Sequence, residues 1–328
     1  MQAVSISEHK NSLIKDNDEL FIPASVIYGP NGGGKSNILE AIKVLQYKII
    51  TPILATKNQD LYATALFNNY SYKPFAFDDT SKNNPVETEI FFRTKFAEYR
   101  YKLAFNQDEI LSESLDMIKF STKRQSALFS RDNNAVSIFN ALKNIKLNTD
   151  ISSDLPFLSY LALNIMNNET VSDVINFFLQ ELICYDLVAY YNKESFNVFE
   201  NEKVKKLLLQ LFKKVDIDIN NYRLEKSGNF VEVYTEHLLN SKKHELNMKD
   251  ESSGTQKIFK LLPVVISSLN TGKTLVVDEL DAKLHPKLLK YIIQMFTDRQ
   301  INKNGAQLIF TSHDLSTMNN DVFRRDEI

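Results

Sequence analysis

Gly29-Pro30-Asn31-Gly32-Gly33-Gly34-Lys35-Ser36 reads G-x-x-x-x-G-K-S. That spacing suits one chemistry, the grip on a polyphosphate. The glycines let the chain curl so that successive backbone N–H groups point inward. Lys35 would reach the β and γ phosphates, and the Ser36 hydroxyl would ligate Mg²⁺. Asn37 follows in the first turn of a helix whose N-terminus faces the anion. A glycine-rich turn before an ordinary helix has the same composition, but here an apolar strand leads in and an apolar-striped helix leads out, as nucleotide binding needs. ATP and Mg²⁺ are the expected ligands. Farther on, Thr274-Leu275-Val276-Val277-Asp278-Glu279 is an apolar strand ending in two acids. Asp278 would hold Mg²⁺ through its water shell, and Glu279 would polarise an attacking water. Two acids in a solvated loop are the plainer reading, and the upstream phosphate loop favours the chemical one.

Two more segments fall in order with these. Glu251-Ser252-Ser253-Gly254-Thr255-Gln256 opens a helix near Lys257, and Leu308-Ile309-Phe310-Thr311-Ser312-His313-Asp314 is a strand that delivers a histidine at its C-terminal end. The first is also a good helix N-cap, and a lone histidine is ordinarily structural. Together and in this order, the four segments resemble the ABC-type ATPases. The resemblance implies that Ser252 and Gly254, with Ser253, Thr255 and Gln256, form the signature that meets the γ phosphate of ATP on an opposite subunit. Glu251 stands where leucine is usual. His313 matches the switch histidine and joins Glu279 in the implied catalytic pair. Asp281-Ala282-Lys283-Leu284-His285-Pro286 resembles the D-loop and the Leu-His-Pro of the RecF and OLD branch.

The finer texture is similar to the RecF/SMC/OLD side, and specifically to the bacterial AAA ATPases related to AbiL and RloA. The matching stretches are Ala24 to Ala41, Tyr99-Arg100-Tyr101, Ser252 to Gln256, Val277 to Pro286 and Gln307 to Asp314. The resemblance implies an ATP-gated homodimeric switch in antiphage defence by abortive infection, or in DNA-related processes, with a companion effector protein. The alternatives are the ATPase part of an OLD-like nuclease, a nonhydrolysing ATP-binding module, and a transporter ATPase. Intact Glu279 and His313 speak against the nonhydrolysing reading, and the hairpin with its large insertion speaks against the transporter. Relatives open with an additional strand that this chain starts after, and they continue past Ile328, so the expectation is a fragment, a natural truncation or a misplaced start. Phe21 is a weak substitute for the usual aromatic adenine contact. No glutamine matches the Q-loop; Gln107 lies in a hairpin turn.

The elements that must position these residues follow from periodicity. Phe21 to Tyr28 reads as one buried strand, and Ile38, Leu39, Ile42, Leu45 and Ile49 recur at helical spacing. Pro74 and Pro85 bracket a polar loop. Val86 to Phe92 and Tyr99 to Phe105 alternate as a hairpin, with Ile110 to Leu115 a third strand of a meander. From Ser126 to Leu224 the signals are mostly helical: Phe157 to Ile165, Val171 to Leu182, and Val204 to Val215. Phe230 to Thr235, Thr274 to Val277 and Gln307 to Phe310 read as strands, and Lys257 to Leu269 as a helix. The expected fold is α/β, a P-loop NTPase of ABC ATPase-head type with an antiparallel meander and a helical insertion. It would be one domain over 1–328: a phosphate-loop lobe at 1–125, the insertion at 126–224, and the signature, Walker B and histidine lobe at 225–328.

Bulk properties agree. The 328 residues are 43% hydrophobic, ample for a core. A net charge of -2 excludes a global basic field. Lys203, Lys205, Lys206, Lys213 and Lys214, and Lys242, Lys243 and His244, leave nucleic acid open as a partner, although solvated surface is the plainer reading. Cys184 is the single cysteine, so no intrachain disulfide forms. No apolar run reaches the ~18 residues a membrane span needs, and no signal peptide opens the chain. The protein is read as cytoplasmic, with no membrane partner.

Overall fold

The computed structural model describes residues 1–56, 72–75, 78–139, 142–185, 199–214, 217–227 and 230–328. The chain divides into two compact units, one of Met1–Leu39 with Leu182–Ile328 and one of Glu40–Glu181. In the first, Ile14–Asp16 (β1) and Glu19–Phe21 (β2) pair antiparallel. Asn17 and Asp18 join them at φ 45° and 68°, the two-residue turn whose twist matches a hairpin. Ala24–Ile27 (β3) then begins anew. The single strand expected over Phe21 to Tyr28 is therefore two, because Pro23 offers no N–H to a ladder. After the glycine loop, Lys35–Ala55 (α1) runs through Pro52.

In the second unit, Val86–Arg93 (β4), Ala97–Phe105 (β5), Ile110–Lys119 (β6), Gln125–Asp132 (β7) and Ala135–Ile138 (β8) form one antiparallel sheet in chain order. In β5, Ala97, Tyr99, Tyr101, Leu103 and Phe105 are buried and alternate with half-exposed neighbours, the period-two pattern of a sheet with one covered face. Phe157–Ile165 (α2) and Glu169–Asn176 (α3) follow. Asn168 caps α3 by accepting from Thr170 and Val171 N–H. The helix expected over Val171 to Leu182 stops at Asn176, gives one wide turn at Phe177–Glu181, and becomes a strand at Leu182. Phe177 stacks on Phe92 at 4.1 Å between ring centroids.

Leu182–Tyr185 (β9) returns the chain to the first unit. There follow Glu202–Lys214 (α4), the antiparallel sheet of Asn221–Ser227 (β10), Phe230–Leu239 (β11) and Lys242–Asn247 (β12), then Ser253–Thr271 (α5), Thr274–Val277 (β13), Pro286–Thr297 (α6) and Gln307–Thr311 (β14). The stretch from Ser126 to Leu224, expected to be mostly helical, thus also carries most of β7, all of β8 and β9, and the start of β10. Val215, expected to end a helix, lies outside the described residues, as do residues 76–77 of the expected proline-bracketed loop.

The strands that matter for the site are parallel, in the order β3-β14-β13-β9. Val277 pairs with Phe310 and with Tyr185, and Thr311 pairs with Ile27. This register brings the C-terminal ends of β3, β13 and β14 side by side, the edge where open α/β sheets bind ligands. Leu275, Val276 and Val277 are buried, as expected of a strand covered on both faces. The core of this unit includes Leu261, Leu262, Val265, Leu289, Ile292, Ile293 and Phe296, from α5 and α6. Gly272 ends α5 at φ 75°, and a Cβ there would meet the Asn304 carbonyl at 2.5 Å, so only glycine fits. Among the described residues no helix is long and apolar enough to cross a membrane.

Candidate functional site

Between β3 and α1 the chain makes the loop that the sequence predicts. Gly32 and Gly34 sit at φ 75° and 86°, and an added Cβ on Gly33 would meet the Pro30 carbonyl at 3.0 Å. Gly33 N–H donates to Pro30 O at 3.1 Å, and Asn37 N–H to Gly34 O at 3.0 Å. Lys35 is buried, its ammonium donating to the Gly29 and Pro30 carbonyls at 2.8 and 3.0 Å. The cation therefore lies within the curl of the loop, against groups a few residues upstream.

The acids of β13 lie beside it. The Ser36 hydroxyl donates to Asp278 Oδ1 at 3.2 Å, and the Thr311 hydroxyl to the same oxygen at 2.5 Å. Thr311 also accepts from Glu279 N–H at 2.7 Å. One hydroxyl at the end of β14 thus fixes both neighbouring acids of β13. Glu279 has φ 47°, in the left-handed region that non-glycine residues avoid. Its side chain is 55% exposed, and Oε1 stands 3.8 Å from His313 Nε2. Asp281 Oδ2 accepts from His313 and Asp314 N–H, both at 3.0 Å, while its Oδ1 is buried without a hydrogen-bond partner.

The signature residues open α5. Ser252 Oγ accepts from Thr255 N–H at 3.1 Å and lies 2.8 Å from Thr255 Oγ1. Ser252 and Ser253 are exposed at the N-terminus of this long helix, where free N–H groups favour an anion. Gln256 Nε2 closes the turn on the Lys249 and Glu251 carbonyls at 3.0 and 2.9 Å. Glu251 lies 2.7 Å from His237 Nε2 and also accepts from the Thr235 hydroxyl, so the residue that replaces leucine anchors the turn to β11. A Cβ on Gly254 would meet the Lys283 carbonyl at 2.7 Å.

All the sequence-predicted site residues fall into two places: Gly29 to Asn37 with Asp278, Glu279 and His313, and Ser252 to Gln256 at the N-terminus of α5. Two contributors escape motif reading. Thr311 reads in the sequence only as part of a strand. Lys257 donates to the carbonyls of Glu279, Leu280 and Ala282, and burial pushes its pKa down to about 8 against the opposing pull of Asp281 and Glu279. Thr311 is signalled by register, since it stands one place past Phe310, the partner of Val277.

The residues present fit a nucleotide with Mg²⁺. The loop turns at Gly32 and Gly34 through left-handed φ that favours glycine, Lys35 supplies the cation, and Ser36 with Asp278 offers the paired hard oxygens that Mg²⁺ takes. Among the described residues no cluster of three or more His, Cys, Asp or Glu side chains could hold a metal. An ion at Asp278 would therefore complete its shell with water and phosphate oxygens, the usual habit of Mg²⁺. A cavity of about 850 Å³ lined by Lys214, Tyr291, Asp298 and Glu327, among others, includes none of the motif residues.

A parallel sheet whose C-terminal edge carries a glycine loop, paired acids and a histidine, in a chain that also folds an antiparallel meander, defines a P-loop NTPase of ABC ATPase-head type. The chain belongs to the family described as "AAA domain, putative AbiEii toxin, Type IV TA system", whose profile matches residues 24–319. Membership implies nucleotide binding, usually with Mg²⁺. Solved structures similar to the chain include "Crystal structure of the SmcHead bound to the C-winged helix domain of ScpA", at 14% identity and TM-score 0.47, covering 92% of this chain and 86% of that one. Another is the SMC head domain from Thermotoga maritima, at 12% identity and TM-score 0.32, covering 90% and 82%. A third is the Smc head domain with an extended coiled coil bound to the C-terminal domain of ScpA derived from Pyrococcus furiosus, at 14% identity and TM-score 0.37, covering 92% and 86%. No curated protein matches the chain.

Proposed function

We propose that this protein is an ATPase that works as an ATP-gated homodimer. The observation that carries the reading is the linked set Ser36–Asp278–Thr311–Glu279, with His313 Nε2 3.8 Å from Glu279 Oε1. In it Ser36 and Asp278 would hold Mg²⁺, which when bound draws charge from the phosphate oxygens. Lys35 and the N–H groups of the loop bind the phosphates. Glu279, exposed and fixed through its backbone, orients water and takes its proton. His313 stands where it can hold Glu279 and the same water. Ser252 and Gly254 serve the site of the opposite subunit, supported by their place at a helix N-terminus where Ser252 is exposed and Gly254 half-buried. On this reading residues 1–328 act as one ATPase domain in the cytoplasm.

The family description, which names the AbiEii toxin and type IV TA systems, supports a place in bacterial defence by abortive infection with a companion effector. The finer likeness to the AbiL and RloA group belongs to the same proposal. Light scattering of Glu279→Gln tests the switch. The protein is expected to be a dimer with ATP and Mg²⁺ and a monomer without them, because the amide fills the space of the acid and slows opening. A monomer under both conditions contradicts it.

A further inference from the structure

Lys257 follows Gln256 in the first turns of α5 and is 4% exposed. Lysine is almost never buried so fully without a partner, and the expected partner is a carboxylate. Here the ammonium donates to the backbone carbonyls of Glu279 at 2.7 Å, Leu280 at 3.0 Å and Ala282 at 2.8 Å. An ammonium has three N–H donors and no acceptor, so its capacity is spent on one loop. That loop begins at a strained residue: Glu279 sits at φ 47°, a conformation that non-glycine residues avoid and that persists only when its surroundings over-determine it. Its N–H is held by Thr311 Oγ1 at 2.7 Å and its carbonyl by Lys257. The loop touches α5 a second time, where the Lys283 carbonyl lies 2.7 Å from the place a Cβ on Gly254 would take.

We infer that Lys257 is a positioning residue for Glu279, tying the backbone of the acid to the signature turn so that Ser252–Gln256 and Glu279–Lys283 move as one piece. This rests on the ATPase reading above. With its donors engaged by the Glu279, Leu280 and Ala282 carbonyls, Lys257 acts through the backbone of Glu279. A merely structural lysine would knit the loop and alter stability, leaving turnover per folded molecule as it was.

The test uses the full chain as parent, Lys257→Met, Lys257→Gln, Glu279→Gln and the double variant Lys257→Met/Glu279→Gln. Phosphate release gives kcat and KM for ATP with Mg²⁺, and the ATP-dependent shift in Tm reports binding. Lys257→Met keeps an unbranched side chain one atom shorter and removes every donor. Its kcat is expected to fall on the order of 10²-fold, the effect of a displacement near 1 Å, with KM and the ATP shift within about twofold of the parent. Lys257→Gln, which retains an amide donor, recovers part of that loss. The double variant is no slower than Glu279→Gln, since both changes act on one group. If Lys257→Met fails to fold, Lys257→Gln is read for the same split, with a lowered kcat and an unchanged KM. A parental kcat in the folded lysine variants, a raised KM with kcat unchanged, or an additive double variant overturns the inference. If Glu279→Gln turns over at the parental rate, the assignment of Glu279 as the water-activating acid falls and takes the inference with it. A slow Glu279→Gln beside parental lysine variants overturns the inference alone.

Discussion

Glu113 in β6 and Asp278 at the end of β13 are both carboxylates held by hydroxyl groups, and they end in opposite states. Glu113 is 2% exposed and accepts from Phe157 and Leu158 N–H at 2.6 and 2.9 Å and from the Tyr101 hydroxyl at 2.9 Å. Burial pushes its pKa up, and the hydrogen bonds with nearby Arg131 pull against that. Arg131 is spent in the same way, its guanidinium donating to the Asn133, Leu155 and Ser153 carbonyls at 2.6, 2.7 and 3.1 Å. Every partner lies within the unit and the group is closed. Asp278 is half-buried, and both hydroxyl contacts converge on its Oδ1. Glu279 beside it points half-exposed from a strained backbone. Polar groups that satisfy one another cap helices and set a fold; polar groups pinned at a strand end beside a phosphate loop are placed where a ligand is proposed to bind.

Lys35→Ala should break the second kind completely. The nucleotide-dependent rise in Tm is expected to vanish while the apo Tm stays within about a degree or two of the parent, since ligand stabilisation requires binding to the folded state. A persistent ATP shift in calorimetry would assign the phosphates to another place. Glu113→Ala should break the first kind alone. It strands two N–H groups and a tyrosine hydroxyl in the interior, for a loss of about 2–4 kcal/mol in urea unfolding. Turnover per folded molecule should hold. A loss of turnover at full folding would erase the division between the two regions.

The strongest sequence signals were the ones tied to local geometry. The glycine loop, the strand Thr274 to Val277 and the helix Phe157 to Ile165 have the expected positions because their signals are contiguous. What stayed hidden depended on distant partners. Val171, Val174, Ile175 and Phe178 keep a helical period up to Leu182, so β9 read as the end of a helix; only its place beside β13 makes it a strand. The β1–β2 hairpin is three residues a side and turns on Asn17-Asp18, too short to raise a periodic signal. Lys257 and Thr311 hold backbone and carboxylate atoms that come close only after folding.

The smallest effect expected is a slope. At Glu327 burial pushes the carboxyl from its ordinary 4.5 up to about 7. The folded state therefore holds the proton more tightly, and the stability this adds is present below about pH 4.5 and lost as pH rises through about 7. Tm of the parent should fall by a few degrees between about pH 5 and pH 8 on this ground, and Glu327→Gln should flatten that part of the curve. An unchanged curve in Glu327→Gln would place the slope in other groups.

Asp278 and Glu279 are adjacent, yet they are assigned separate work, metal binding and water activation. ATP affinity and single-turnover hydrolysis, measured side by side for the parent, Asp278→Asn and Glu279→Gln, separate the two. Asp278→Asn should weaken Mg²⁺-dependent binding and turnover together. Glu279→Gln should keep ATP affinity and lose turnover by a factor on the order of 10²–10⁴, the range of a positioned general base. Hydrolysis by Glu279→Gln at the parental rate would contradict the assignment and make Asp281 the next acid to test.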